Sequence, residues 1–387
     1  MSVTAPGGFV AAGHACGIKG SGDPDLAVVA TASNRPVPTA AVFTSNLATA
    51  APVLVSRAHL TATGGRAAAV VLSSGNANAA TGAAGHADAE RMCALVASSL
   101  GCEREEVLVC STGLIGIPLP MDRLEEGVPA AVRVLRPDGG VAAAEAIRTT
   151  DTGRKEVVVD GGGFSVGGMA KGAAMLAPNM ATMLAVLTTD AEATTEQLQE
   201  ALSAGVADSF NVLSTDGCTS TNDTVVLLAS GVAGPVDPAD LHVAVAEACA
   251  DLARQMAGDA EGATKVVTVR VVGAASDADA VAAARQVADS ALCKCSWYGE
   301  DPYGGRVVSE LGVSGAAFDQ SKVSVSYGGI TVCRDGVAAM HDVRSLQQVM
   351  AAREITIVAD LGLGAGEGLI LTNDLTHAYV DENMGTS

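Results

Sequence analysis

A hydroxyl at the lip of a buried strand raises a chemical question. In "MLAPNMATMLAVLTTDA" (175–191), Pro178, Asn179 and Met180 read as a turn, because proline fixes φ and asparagine tolerates turn geometry. Thr182 then opens an apolar, partly β-branched run that reads as a strand. A strand-edge threonine is the plain explanation, since threonine suits strands. A hydroxyl nucleophile preceded by the small Ala181 is the chemical one. Lys171, a cation amid glycines and apolar residues upstream of this turn, either snorkels to the surface or meets an anion.

Four loops at strand ends carry the other candidate groups. "CSTGLIG" (110–116) offers the Thr112 hydroxyl and an unobstructed N–H at Gly113, the donors an oxyanion hole requires, although a small-residue turn explains it too. "RTTDTGRKE" (148–156) sets Thr149 and Thr150 before an aspartate, which a helix cap or Asx turn explains equally. "DGCTSTNDT" (216–224) lacks the glycine and glutamate register of a calcium loop and reads as a polar network supporting a site. "GDAEGATK" (258–265) places Glu261 beside Gly262, either as a turn carboxylate or as an acid/base. No Ser/His/Asp triad, dinucleotide fingerprint, HExxH or CxxC set is visible, so no metal site is expected.

These loops need strands and helices to hold them, and the chain alternates the two throughout. Strands are expected at 37–46, 66–78 and 106–116, a hairpin over 155–172, and a hairpin over 322–333 turning at Gly328 and Gly329. Helices are expected at 85–101, 190–210, 238–257 and 277–294, and a second strand pair at 355–375. The 387 residues suffice for two domains, read as 1–275 and 276–387. With 49% apolar but only 3% aromatic residues, the core must be Ala, Val, Leu and Met, which suits layered α/β packing. A net charge of −20 argues against nucleic acid and an anionic membrane surface. Nine scattered cysteines without paired spacing, and an N-terminus without a basic signal-peptide region, fit a reducing cytoplasm. No run reaches the length of a membrane span.

Together, "KGAAMLAPNMATML" (171–184), "CSTGLIG" (110–116), "SSGNANAATG" (73–82), "TSTNDT" (219–224), "DAEGATK" (259–265) and "HAYVDEN" (377–383) stand in the order and spacing of the ornithine acetyltransferase family. These are bacterial-type glutamate N-acetyltransferases of arginine biosynthesis, and the chain resembles them over nearly its whole length. The resemblance implies a layered α/β sandwich similar to N-terminal nucleophile hydrolases, with a smaller C-terminal α/β domain. It implies self-cleavage between Ala181 and Thr182, after which the freed Thr182 hydroxyl is the nucleophile and its own α-amine the base. It makes Thr112 and Gly113 the oxyanion hole. Thr149, Lys171, Thr182, Glu261 and Asn383 become substrate contacts, with Glu261 also a proton-transfer group. The tail ends one residue short of the usual spacing to a final hydroxyl contact, a role that falls to Ser387 if it is filled. Small amino-acid substrates, no cofactor and an α2β2 assembly of processed fragments are implied; if the chain is bifunctional, acetyl-CoA would be a second donor.

Two rivals stand beside this expectation: an N-terminal-threonine amidase or aminopeptidase with water as acceptor, and a non-catalytic paralogue. The sequence departs from the family at "DPYGGR" (301–306), where "DPNWGR" is usual, and at "LCKCSWYGE" (292–300).

Overall fold

The computed structural model describes residues 2–176 and 183–384. The chain divides into two compact units, Met1–Asn211 with Thr219–Met256, and Val212–Cys218 with Ala257–Ser387. Ala181, Thr182 and Ser387 lie outside the described residues.

The first unit holds two sheets. One has four strands in the spatial order Phe9–His14, Leu26–Thr31, Ala69–Asn76, Val107–Leu114. The other has six, in the order Arg66–Ala67, Val37–Phe43, Thr224–Pro235, Leu184–Glu192, Ser165–Lys171, Lys155–Asp160. Strands such as "LAVVAT" (26–31) are buried along their whole length, as apolar runs covered on both faces must be. Val29, Val70, Leu72 and Leu108 of the first sheet share one core with Met169, Leu184, Val186 and Val226 of the second. Helices Ala51–Thr63, Gly82–Leu100 and Met121–Arg133 cover the other face of the four-stranded sheet through Val55, Met92, Val96, Leu124 and Val128. Helices Thr195–Ala207 and Pro238–Gly258 pack together where Gly205 meets Ala246 and Cys249, and Leu252 reaches the six-stranded sheet at Gly168. The result is helix, sheet, sheet, helix: the layered α/β sandwich that the resemblance implies.

The second unit is built on a seven-stranded sheet ordered Leu213–Ser214, Gly366–Asn373, Val266–Ala274, Glu354–Asp360, Ser324–Tyr327, Ile330–Arg334, Val337–Ala338. Its core includes Trp297, Tyr327, Val269 and Ile357. Val266–Ala274 lies between 354–360 and 366–373, pairing parallel with one and antiparallel with the other. Two expectations change as a result. The strands within 355–375 do not pair with each other, and the strand ending near the sequence-based boundary at 275 belongs to the later unit.

Other differences are local. The segment 190–210 is strand up to Glu192 before a helix capped by Thr194 begins. The helix expected over 277–294 breaks at Ser290, whose side chain caps a second helix at Cys293 N. Helix Met121–Arg133 contains Gly127 and Pro129, residues that mask a helical pattern in sequence. At the "DPYGGR" departure, a Cβ on Gly304 would come within 2.9 Å of the Val332 side chain. Helix Gly304–Leu311 thus sits close against strand Ile330–Arg334, and a side chain at 304 would require Val332 to shift. Among the described residues no helix is long and apolar enough to cross a membrane, and no cluster of His, Cys, Asp or Glu could hold a metal ion.

Candidate active site

Strand Val107–Leu114 carries Thr112 and Gly113 at its end. Thr112 is buried, whereas the Gly113 backbone is exposed. Gly113 has φ +128°, and a Cβ there would collide with the Gly75 carbonyl carbon, so only glycine fits. The pairing between Ala69–Asn76 and this strand slips by a residue at Gly75–Asn76, the kind of bulge that re-aims groups beside a site. The "TSTNDT" loop braces this strand end. Asn222 Nδ2 donates to Ser111 O (2.9 Å) and Ala77 O (2.6 Å), while Thr44 Oγ1 and Asn46 Nδ2 donate to Ser220 O and Thr219 O. The loop is a supporting network, as its composition suggested.

Lys171 ends strand Ser165–Lys171 and is buried. Its Nζ donates to Thr112 Oγ1 at 3.2 Å. An ammonium has no acceptor, so the Thr112 hydroxyl receives this bond and keeps its own proton for another acceptor. The chain thereby polarises a donor beside an exposed glycine backbone, which is how an anion-stabilising pair is made.

Behind Lys171 lies a buried carboxylate. Asp151 Oδ1 accepts from Lys155 Nζ and Gly172 N, both at 2.7 Å, and Oδ2 accepts from Thr149 N at 3.0 Å. Burial alone would push this carboxyl up. The ammonium groups of Lys171 and Lys155, with the hydrogen bonds from Lys155 and Thr149, outweigh burial and hold it well below the usual carboxylate range. The contact at Thr149 is not the Asx turn expected for this loop, because the Asp151 carboxylate reaches back to an N–H two residues earlier and belongs to a larger cluster.

Asp223 is the opposite case. Its Oδ1 accepts from Met183 N at 2.9 Å, while Oδ2 is buried without a close hydrogen-bond partner among the described residues. Burial pushes its carboxyl well above the ordinary value, against the Met183 N–H, the Ser220 hydroxyl and the Lys171 charge. Met183 follows Thr182 in the chain, so Asp223 fixes the backbone immediately after the candidate nucleophile.

In the second unit, Glu261 is buried and its Oε2 accepts from Asn383 Nδ2 at 2.8 Å. The same amide also donates to Tyr379 O. Gly262 has φ +61°, and a Cβ there would collide with Tyr379 N, so glycine permits helix His377–Glu382 to seat against this loop. Thr376 Oγ1 adds a bond to Gly262 O, and Asp374 Oδ1 accepts from Thr264 N and Lys265 N. The chain end is tied down up to Asn383.

The described structure thus joins Thr112 to Lys171, Thr149 to the Lys171 segment through Asp151, and Glu261 to Asn383. Sequence reasoning missed Asp151, Lys155 and Asp223 as parts of the cluster. The four-residue spacing of Asp151 and Lys155 was the available signal for the first two. His59 is buried, with its ring nitrogens on Val107 O and Glu90 Oε2.

Comparison with known proteins completes the picture. The profile described as the ArgJ family matches residues 10–385. Proteins named arginine biosynthesis bifunctional protein ArgJ from Thermobifida fusca and Streptomyces coelicolor are each 49% identical over 388 residues, covering 100% of both chains. An ornithine acetyltransferase from Mycobacterium tuberculosis, solved with ornithine, is 48% identical over 46% of this chain and 94% of its own, with a TM-score of 0.44. The Bacillus halodurans ArgJ structure is 37% identical over 51% and 96%, with a TM-score of 0.49. With a family profile and relatives that match from end to end, the chain belongs to the ArgJ family.

Proposed function

We propose that this ArgJ-family acyltransferase moves acetyl from N2-acetyl-L-ornithine to L-glutamate through an acetyl-Thr182 intermediate. The chain first cleaves itself between Ala181 and Thr182. In the mature enzyme the Thr182 α-amine takes the hydroxyl proton as Oγ1 attacks the acetyl carbonyl. Thr112 and the Gly113 N–H receive the oxyanion. Collapse breaks the amide bond, and ornithine leaves with the proton returned to its nitrogen. The glutamate amine then attacks the ester and releases Thr182. Thr149, Lys171, Thr182, Glu261 and Asn383 contact the substrates, and Glu261 assists proton transfer at the amine; Ser387 is the last candidate contact. The cycle needs no cofactor. The working assembly is α2β2, in a reducing cytoplasm.

The observation that best supports this reading is the Lys171 ammonium on the Thr112 hydroxyl beside the exposed Gly113 backbone. Because one nucleophile holds acetyl between two amino acids, double-reciprocal plots at several glutamate concentrations should be parallel. Intersecting lines would indicate direct transfer in a ternary complex, and undiminished acetate release without glutamate would indicate an amidase.

A further inference from the structure

We propose that Asp151 is a positioning residue for this acetyl transfer: one buried carboxylate joins the backbone at Thr149 to the backbone at Gly172, and so sets Thr149 and Lys171 as a single rigid wall against the substrate. The proposal rests on the acetyltransferase reading above.

The argument is geometric. Asp151 and Lys155 are 3% and 2% exposed. Among the described residues, Asp151 accepts from two backbone N–H groups, at Thr149 and Gly172. They belong to different parts of the chain: the segment after helix Gly140–Ala146, and the end of strand Ser165–Lys171. A carboxylate bound in this way fixes main-chain positions, which a side-chain ion pair alone does not. Arg148 stitches the same loop from outside, donating from Nη2 to the carbonyls of Asp151 (2.7 Å) and Thr152 (3.0 Å). Lys155 comes from the neighbouring strand, in register with Ala170, and supplies the third donor.

A plainer explanation exists: Asp151 and Lys155 could be a buried ion pair with no bearing on the site. The two explanations differ in what each partner does when removed. If the pair is only structural, losing either member leaves a buried charge alone, and both losses should be severe. If Asp151 is the clamp, Lys155 is the lesser member. Without Lys155, the carboxylate keeps both backbone donors and the nearby Lys171 charge. Without the carboxylate, Thr149 and Gly172 lose their common anchor.

The test is steady-state kinetics on processed Asp151→Asn, Lys155→Met and the double variant. Both substrates are amino acids that meet the same wall, so Asp151→Asn should raise KM for N-acetylornithine and for glutamate together, by about tenfold, with little change in kcat. A general loss of folded enzyme would instead lower kcat and leave KM alone. Lys155→Met should keep both KM values near wild type. The double variant removes the ion pair without stranding the Lys155 charge. It should keep the elevated KM values, and it decides the matter alone if Asp151→Asn does not fold. The proposal is overturned if the double variant returns to wild-type KM, if Lys155→Met matches Asp151→Asn, or if the loss lies wholly in kcat. Should wild-type protein fail to acetylate glutamate, the acetyltransferase reading falls, and calorimetric binding of ornithine to the same variants still decides the role of Asp151.

Discussion

At Thr112 a single hydroxyl is asked to receive one hydrogen bond and give another. Lys171 supplies the first, which leaves the proton free to meet a developing oxyanion. Thr112→Ala should therefore lose on the order of 10²-fold in kcat with KM little changed, and Thr112→Ser should recover most of it. A loss wholly in KM would make Thr112 a binding residue only. Asp223 gives a second prediction, on stability. Its folded carboxyl is raised above the ordinary value. A group raised in this way favours the fold below its unfolded value, and that contribution is lost as pH rises towards the folded one. At pH 8 the neutral Asp223→Asn should melt higher than wild type by at least about 2 °C, with no difference near pH 4. Equal melting temperatures at both values would show that Asp223 carries no burial penalty. Thr112, Gly113 and Lys171 could be singled out because a hydroxyl, an unobstructed N–H and a lone cation are groups that meet an anion, although a small-residue turn explained the first two as well. Asp151 and Asp223 were not, because an aspartate in a polar loop looks the same in sequence whether it caps a turn or sits buried among lysines.

Elements follow the same division. The hairpins at 155–172 and 322–333 were readable from alternating residues and glycine turns, and both formed. The strands at 354–360 and 366–373 were recognised, but their neighbour was not, because the strand between them lies far back in sequence. Pairing across such distances leaves no local trace. The tail shows how one residue can govern an element. Gly262 must hold φ +61° with no side chain where helix His377–Glu382 approaches. Gly262→Ala should destabilise the seating of that helix by about 1–3 kcal/mol or more. Hydrogen exchange should then speed up across 377–384, and KM should rise as Asn383 loses its place on Glu261. Unchanged protection there would mean the loop can shift without cost.

For the whole molecule, composition set the terms correctly: an aromatic-poor, Ala-, Val- and Gly-rich chain built layers in which two sheets are enclosed by helices. A net charge of −20 makes any buried cation at a strand end conspicuous, and Lys171 is one. The central claim is that Thr182 becomes a chain terminus and then carries the acetyl group. Denaturing intact-mass spectrometry of the purified protein, with and without N-acetylornithine, tests both parts at once. The account predicts two fragments, 1–181 and 182–387, with the second gaining one acetyl group when the donor is present and glutamate is absent. A single uncleaved chain that nevertheless transfers acetyl at full rate, or an acetyl group on the first fragment, would contradict it.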